Sequence, residues 1–243
     1  MLPSRHQPFV TTQWSVVLEA GRPDSPMASE SFAALCNSYW LPLYGFARRR
    51  GYSAADAADM TQAFFAELME KPVLQTADPA RGRFRNFLLT VFQRFLASEY
   101  ARANTAKAGG RHSFVSLDFD DGERRYSDFT ATQQSPESVF ERQWAMTLLE
   151  RSLLLLETEY RERGKVDLYF ACRSFLIGNP AADRYATIAQ TCSMTEGAFR
   201  VAIHRLRQRF RELLRAEVSA TLGPHENVDD ELEYLRRVLR SDG

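Results

Sequence analysis

The sequence lacks any apolar run of the roughly 20 residues that are needed to cross a bilayer. Its first residues, MLPSRHQPFVTTQW, also lack the apolar core of a secretory signal. These two absences argue against a membrane-spanning or secreted protein. We therefore expect a cytoplasmic protein without a membrane partner.

Cysteine is scarce, and recognisable catalytic motifs are missing. Cys36, Cys172 and Cys192 are far apart and form no C-x-x-C pair, which argues against a disulfide framework or a zinc site. There is no glycine-rich phosphate loop, no H-E-x-x-H and no nucleophile motif. Asp56 and Asp59 have no histidine at a suitable spacing for a metal site. We expect no enzymatic activity, no metal and no cofactor.

Net charge is also absent, since 31 Lys and Arg balance 31 Asp and Glu. The distribution of charge along the chain is therefore the informative property. Apolar residues recur mostly at helical spacing, which predicts an all-α protein. Residues 104–137 are polar and acidic and predict a flexible linker. The expected order is a helical domain (1–103), the linker (104–137), a second helical domain (138–216) and an acidic helical extension (217–243).

Positive charge is concentrated between residues 200 and 215, which contain six arginines and a histidine opposed only by Glu212. On a helical wheel the cationic residues form one stripe and the apolar residues another. Like charges at i,i+4 spacing destabilise an isolated helix, so a solvated amphipathic helix explains them poorly. Arginine suits planar contacts to phosphate or guanine. This pattern favours nucleic acid as the ligand.

The residues before this segment strengthen that interpretation. The stretch RYATIAQTCSMTEGAFRVAIHRL reads as a helix, a short turn and a second helix, with Ser193 or Thr195 as the N-cap. In a helix-turn-helix the N-terminal part of the second helix enters the major groove. The residues expected nearest the bases are Thr195, Glu196, Gly197, Arg200 and His204, and those expected nearer phosphate are Arg205, Arg207 and Arg211.

The N-terminal half contains two further segments of interest. Residues 56–68, DAADMTQAFFAEL, predict an amphipathic helix with acidic residues at its start, which suits either solvent or a partner surface. Residues 81–102 combine arginines with aromatic residues and carry a net charge of +4. Many of those aromatic residues must form a core, but single-stranded nucleic acid requires the same combination.

Four motifs occur together in order: D-A-x-D-M-T-Q-x-x-F (56–65), RGRFRNFLLTVFQRFLASEYAR, SPE (135–137) and YATIAQTCSMTEGAFRVAIHRLRQRF. Together they resemble a sigma factor of bacterial RNA polymerase, in the extracytoplasmic-function (ECF) group. The resemblance covers roughly residues 30–215. The stretch before the helix-turn-helix is longer than in common members, so we expect an extra helical turn and loop there.

The resemblance implies roles for the matching positions. The implied contacts to core RNA polymerase are Asp56, Asp59, Gln62 and Phe65. The residues implied to bind and help melt the −10 promoter element are Arg85, Arg94, Ser98, Tyr100 and Arg102. The residues implied to bind the −35 element are Thr195, Glu196, Arg200, His204, Arg205, Arg207 and Arg211.

Two other interpretations stay open at this point, namely a polymerase-independent helix-turn-helix regulator and a helical adaptor without DNA contact. The acidic tail holds Glu226, Asp229, Asp230, Glu231 and Glu233. It is expected either to be a solvated surface or to fold back on a basic face and inhibit the protein. An anti-sigma factor is a further expected partner.

Overall fold

The chain is all-α in a computed structural model that describes residues 14–22, 24–103, 117–129, 134–176 and 182–240. No β-strand occurs within these ranges. Among them, no helix combines the length and the apolar character that crossing a membrane requires. The helices are α1 (Trp14–Ala20), α2 (Ala28–Arg49), α3 (Ala54–Glu70), α4 (Phe84–Ala103), α5 (Phe119–Phe129), α6 (Pro136–Glu162), α7 (Val166–Arg173), α8 (Ala182–Thr191), α9 (Glu196–Ser219) and α10 (Val228–Arg240).

Several helix ends follow directly from local chemistry. The Ser53 hydroxyl accepts a hydrogen bond from the Asp56 amide and caps α3. Thr195 does the same for α9 through the Ala198 amide, at 3.2 Å. Gly51 follows α2 with a φ of 98°, a conformation that favours glycine. Thr195 is thus the N-cap of α9, one of the two residues predicted for that role.

The chain divides into two compact units. One unit combines the residues up to Thr147 with those from Val218 onward, and the other comprises residues 148–217. These units differ from the predicted domains in two places. Residues 138–147 and the C-terminal extension both pack with the N-terminal helices, so the first unit is discontinuous in sequence.

The core of the first unit is built on aromatic side chains from α2, α3 and α4. Phe64 lies 4.9 Å from Phe92 and 5.5 Å from Phe95 between ring centroids, and Phe46 lies 6.0 Å from Phe92. All four rings are buried. Edge-to-face contacts of this kind stabilise a core beyond the area that they bury. The expectation that many aromatic residues of residues 81–102 are core residues is confirmed.

The second unit has a core of its own, formed by α7, α8, α9 and the C-terminal half of α6. Phe175 lies against Tyr185 at 4.8 Å and against Phe199 at 5.5 Å. The core-facing residues of α9 are the predicted apolar stripe, of which Phe199, Ile203 and Leu206 are buried. The extra helical element predicted before α8 is present as α7, which Gly164 separates from α6 with a φ of 65°.

The expected flexible linker is in part a packed helix. Residues 104–116 and 130–133 lie outside the described residues, but α5 lies between them and packs on α2. Phe119 contacts Trp40 and Tyr44, with ring centroids 5.4 and 5.6 Å apart. Gly122 allows this close approach, since a Cβ there would lie 2.7 Å from the Trp40 ring. The acidic and small residues of this segment predicted a linker and gave no indication of these contacts.

Candidate nucleic-acid interface

The C-terminal half of α4 presents an aromatic and cationic surface, here called the α4 surface. Its exposed side chains are Arg94, Ala97, Tyr100, Ala101 and Arg102. Tyr100 is 68% exposed, whereas Phe92 and Phe95 of the same helix are buried. Arg102 pairs with Glu99 one turn earlier, at 2.5 Å. The half-buried Ser98 donates its hydroxyl hydrogen bond to the Phe95 carbonyl oxygen within the helix. Four of the five predicted −10 residues thus lie on this half of α4.

Arg85, the fifth predicted −10 residue, does not belong to this surface, because its side chain is buried. It is only 2% exposed. Its guanidinium group pairs with Glu141 at 2.9 Å and with Glu231 at 2.8 Å, and it lies 4.0 Å from the Trp144 ring centroid. The charge of Arg85 is therefore neutralised inside the first unit.

Arg83 belongs to the same buried network. It pairs with Glu226 at 2.9 Å and with Glu231 at 2.6 Å, so Glu231 bridges both arginines. Burial raises the pKa of Glu141 above its ordinary value, an effect that the neighbouring Arg85 opposes. The C-terminal extension therefore contributes carboxylates to the interior beside the first turn of α4.

The outward side of α9 carries a second cationic surface, here called the α9 surface. Its exposed side chains are Glu196, Arg200, Val201, His204, Arg205 and Arg211. The described part of the chain places no carboxylate in an ion pair with Arg205 or Arg211. The predicted Thr195 is also exposed, and its side chain caps the helix. Six of the seven predicted −35 residues are thus solvent-accessible on one helix or at its N-cap.

Other arginines of α9 are engaged within the second unit. Arg207, the seventh predicted −35 residue, is half-buried and donates from its Nε to the Phe175 carbonyl oxygen at 2.9 Å. Arg209 forms a two-pronged ion pair with Glu159, at 2.9 and 2.6 Å, and also contacts Glu212. The hydrogen bond from Arg209 lowers the pKa of Glu159. The accumulated charge of α9 is therefore partly balanced by α6.

Arg200 is held in place at the edge of the α9 surface. Its Nε and Nη2 both donate to Glu196 Oε1, at 2.9 and 2.7 Å. Its guanidinium carbon lies 4.2 Å from the Tyr185 ring centroid, within the range of a cation–π contact. Both neighbours are in the second unit, so the unit itself orients this side chain.

The predicted polymerase contacts on α3 separate into exposed and buried residues. Asp59 is exposed and Gln62 is half-buried. Asp56 is exposed, and its carboxylate accepts a hydrogen bond from the Ser53 hydroxyl at 2.6 Å. Phe65 is 5% exposed and packs against Phe32 at 6.5 Å between ring centroids, so it is a core residue in this structure and not part of the exposed side of α3.

Sequence reasoning missed the charge partners of α4 and one exposed apolar side chain. Glu141, Glu226 and Glu231 are distant from Arg85 in sequence, and no local pattern reveals such pairs. Val201 is 49% exposed. On the helical wheel it lies between two cationic positions, in a sector that we interpreted as purely cationic. The sequence nevertheless indicated that Val201 is exposed, because this residue lies opposite the apolar stripe on the helical wheel.

Within the described ranges, no group of three or more His, Cys, Asp or Glu side chains could hold a metal ion. Comparisons with protein-family models, with curated proteins and with solved structures find no match to this chain. The α4 and α9 surfaces and the sequence motifs are therefore the features that point to a function.

Proposed function

We propose that this chain is a sigma factor of the ECF type, which binds core RNA polymerase and directs it to promoters. In this proposal the α4 surface binds unpaired bases of the −10 element. The α9 surface binds the −35 element as a duplex, and the exposed side of α3 contacts the polymerase. The cytoplasm is the compartment in which such a protein would act.

The observation that carries the proposal is the exposure of Tyr100 between Arg94 and Arg102. A helix that buries its phenylalanines but exposes 68% of a tyrosine has an aromatic face available to a ligand. Bases stack on aromatic faces while arginines pair with the adjacent phosphates, which is how single strands are bound. Neither a duplex-only regulator nor an adaptor needs this arrangement.

The second support is the geometry at α8 and α9, which we interpret as a helix-turn-helix. Four residues, 192–195, separate the two helices, and Ser193 has a φ of 54° in the turn. Connections of three or four residues are typical of the motif. Five of the six side chains of the α9 surface lie in the N-terminal half of α9, which is the part of the second helix that enters the major groove.

The decisive experiment is promoter-specific transcription with the purified chain and core polymerase. Co-purification together with initiation from a defined start supports the proposal. Duplex binding that needs no polymerase and gives no initiation would favour the regulator. Absence of any DNA dependence would favour the adaptor. In either DNA-binding case the affinity should fall steeply with added salt, because phosphate contacts release counterions.

Tyr100 provides the test of strand separation. We expect Tyr100→Ala to reduce open-complex formation about 5- to 150-fold, the effect of losing about 1–3 kcal/mol of base stacking. Tyr100→Phe should retain most activity because the ring is kept. Phe170→Ala is the matched control, since Phe170 is 46% exposed on α7. Equal activity of the Tyr100→Ala and wild-type proteins would exclude the role of the α4 surface.

The polymerase contact has its own test on α3. Asp59→Arg should weaken co-purification with core polymerase, because it reverses an exposed charge in the motif segment. Glu70→Arg reverses another exposed charge at the end of the same helix and serves as the control. If both variants retain the polymerase equally, this side of α3 is not the contact.

A further inference from the structure

The N-terminal half of α9 exposes an apolar side chain in the middle of its outward face. Val201 is 49% exposed, and it is the one exposed large hydrophobic residue of α9 in the part of the chain that the structure describes. Successive helix residues are about 100° apart, so Val201 points away from the buried Phe199 and Ile203. Its branched methyl groups are therefore presented to whatever contacts this face.

Arg200, the preceding residue, is fixed in a way that leaves its recognition edge free. Glu196 occupies the Nε hydrogen and one Nη2 hydrogen, and the Tyr185 ring covers one side of the group. A guanidinium has five N–H donors, so three remain, and two of these lie on Nη1. Nη1 and Nη2 can therefore donate one hydrogen bond each to O6 and N7 of a guanine.

On the N-terminal side of Val201, the described residues 197 and 198 add almost no side-chain bulk to the helix surface. Gly197, one turn earlier, has no side chain, and a Cβ built there would meet no atom within 4 Å. Ala198 is small and exposed. A groove floor can therefore come close to the Val201 methyl groups.

We propose that Val201 is a specificity residue that contacts the C5 methyl group of a thymine in the major groove, while the neighbouring Arg200 contacts a guanine. Thymine is the one base that offers a methyl group there, and guanine offers two acceptors to a bidentate arginine. Tyr185 and Glu196 act as positioning residues for Arg200. This inference rests on the proposed function, which it deepens by naming the bases that α9 reads.

The test replaces thymine by deoxyuridine, which lacks the C5 methyl group. The full chain with core polymerase first selects duplexes from a randomised library, and each thymine of the selected element is then replaced in turn. We expect one thymine whose replacement weakens wild-type binding about fourfold, the effect of burying one methyl group. Val201→Ser should bind thymine and deoxyuridine equally at that position, and Val201→Thr, which keeps one methyl group, should still discriminate.

Gln208→Ser is the matched control, because Gln208 is exposed on the same helix two turns further on. This variant should keep the wild-type preference. If no thymine position depends on Val201 while the chain still directs initiation, the inference is wrong and the proposed function stands. If Val201→Ser weakens every duplex equally, the residue does not read a base. If no duplex is enriched, both the inference and the −35 role of α9 fail.

Discussion

Arg85 keeps a guanidinium group inside the first unit, where water cannot solvate it. Two carboxylates and the face of Trp144 replace that water. Removing one partner of a buried ion pair leaves the other charge uncompensated, which costs more than the pair itself contributes. Arg85 is therefore a structural residue here, and the carboxylate of Glu231 is its counterpart.

Glu231→Gln should lower the free energy of unfolding by about 3–5 kcal/mol, because Glu231 bridges both Arg83 and Arg85 without solvent exposure. Chemical denaturation followed by circular dichroism measures this change. Glu233→Gln is the control, since Glu233 is exposed on the same helix and its ion pair among the described residues is with the exposed Arg236. Equal stability of the two variants would contradict the bridging role of Glu231.

The three cysteines should differ in their reactivity towards iodoacetamide. Burial raises the pKa of the Cys36 and Cys172 thiols to about 12, so very little thiolate exists there at pH 8. Cys192 is only half-buried. We expect native protein to be labelled at Cys192 first, and mass spectrometry of tryptic peptides shows the order. Labelling of Cys36 at the same rate would contradict its burial.

At the scale of elements, α5 shows how a polar segment becomes a packed helix. Arg48 donates to both carboxylate oxygens of Glu123, at 2.8 and 2.7 Å, and Tyr44 donates to the same group. The Arg48 hydrogen bonds hold the pKa of Glu123 below its ordinary value, although burial acts in the opposite direction. The Phe119 ring, this ion pair and the contact of the Tyr126 ring with Arg48 thus attach the helix to α2.

The stability contributed by Glu123 should depend on pH in a defined direction. Because its folded pKa is lowered, the contribution is complete above the ordinary value of about 4.3 and is lost as pH falls through the folded pKa. The difference in unfolding free energy between wild type and Glu123→Gln should therefore be constant from pH 7 to about 5 and shrink below about 4. Denaturation at each pH measures it. Asp120→Asn, an exposed change on α5, should show no such trend.

Local patterns predicted the helices well and their partners poorly. The apolar stripe of α9, its cap at Thr195 and the all-α class depend on residues within a few positions of one another. The docking of α5 depends on Arg48, and the burial of Arg85 depends on Glu231; both partners are far away in sequence. Helical periodicity cannot reveal an ion pair of that kind, so exposed and buried arginines look alike in the sequence.

At the scale of the whole molecule, the residues from Val218 onward complete the packing of the first unit. The Trp14 amide donates to the Ala220 carbonyl oxygen at 3.3 Å, and α10 supplies the carboxylate that Arg83 and Arg85 share. Gly223 lies against Pro79, where a Cβ would come within 2.3 Å of the carbonyl oxygen. The acidic extension is therefore part of this unit. Whether it also inhibits DNA binding stays a prediction.

Ending the chain at Leu222 should loosen the first unit, because it removes Glu226 and Glu231 from two arginines. Hydrogen–deuterium exchange should increase in the first turns of α4 while the amides of α8 keep their protection. A chain that ends at Arg240 is the control and should match the full-length protein. An equal increase in α8 would contradict the assignment of the extension to the first unit.

The closing role of α10 also fixes an order of events during synthesis on the ribosome. Glu231 is made about 150 residues after Arg85, which at 5–20 residues per second is a delay of roughly seven to thirty seconds. During that interval residues 148–217 have emerged and can complete their own core. Helix α4 is thus translated well before α10 and reaches its final packing only once α10 has been made.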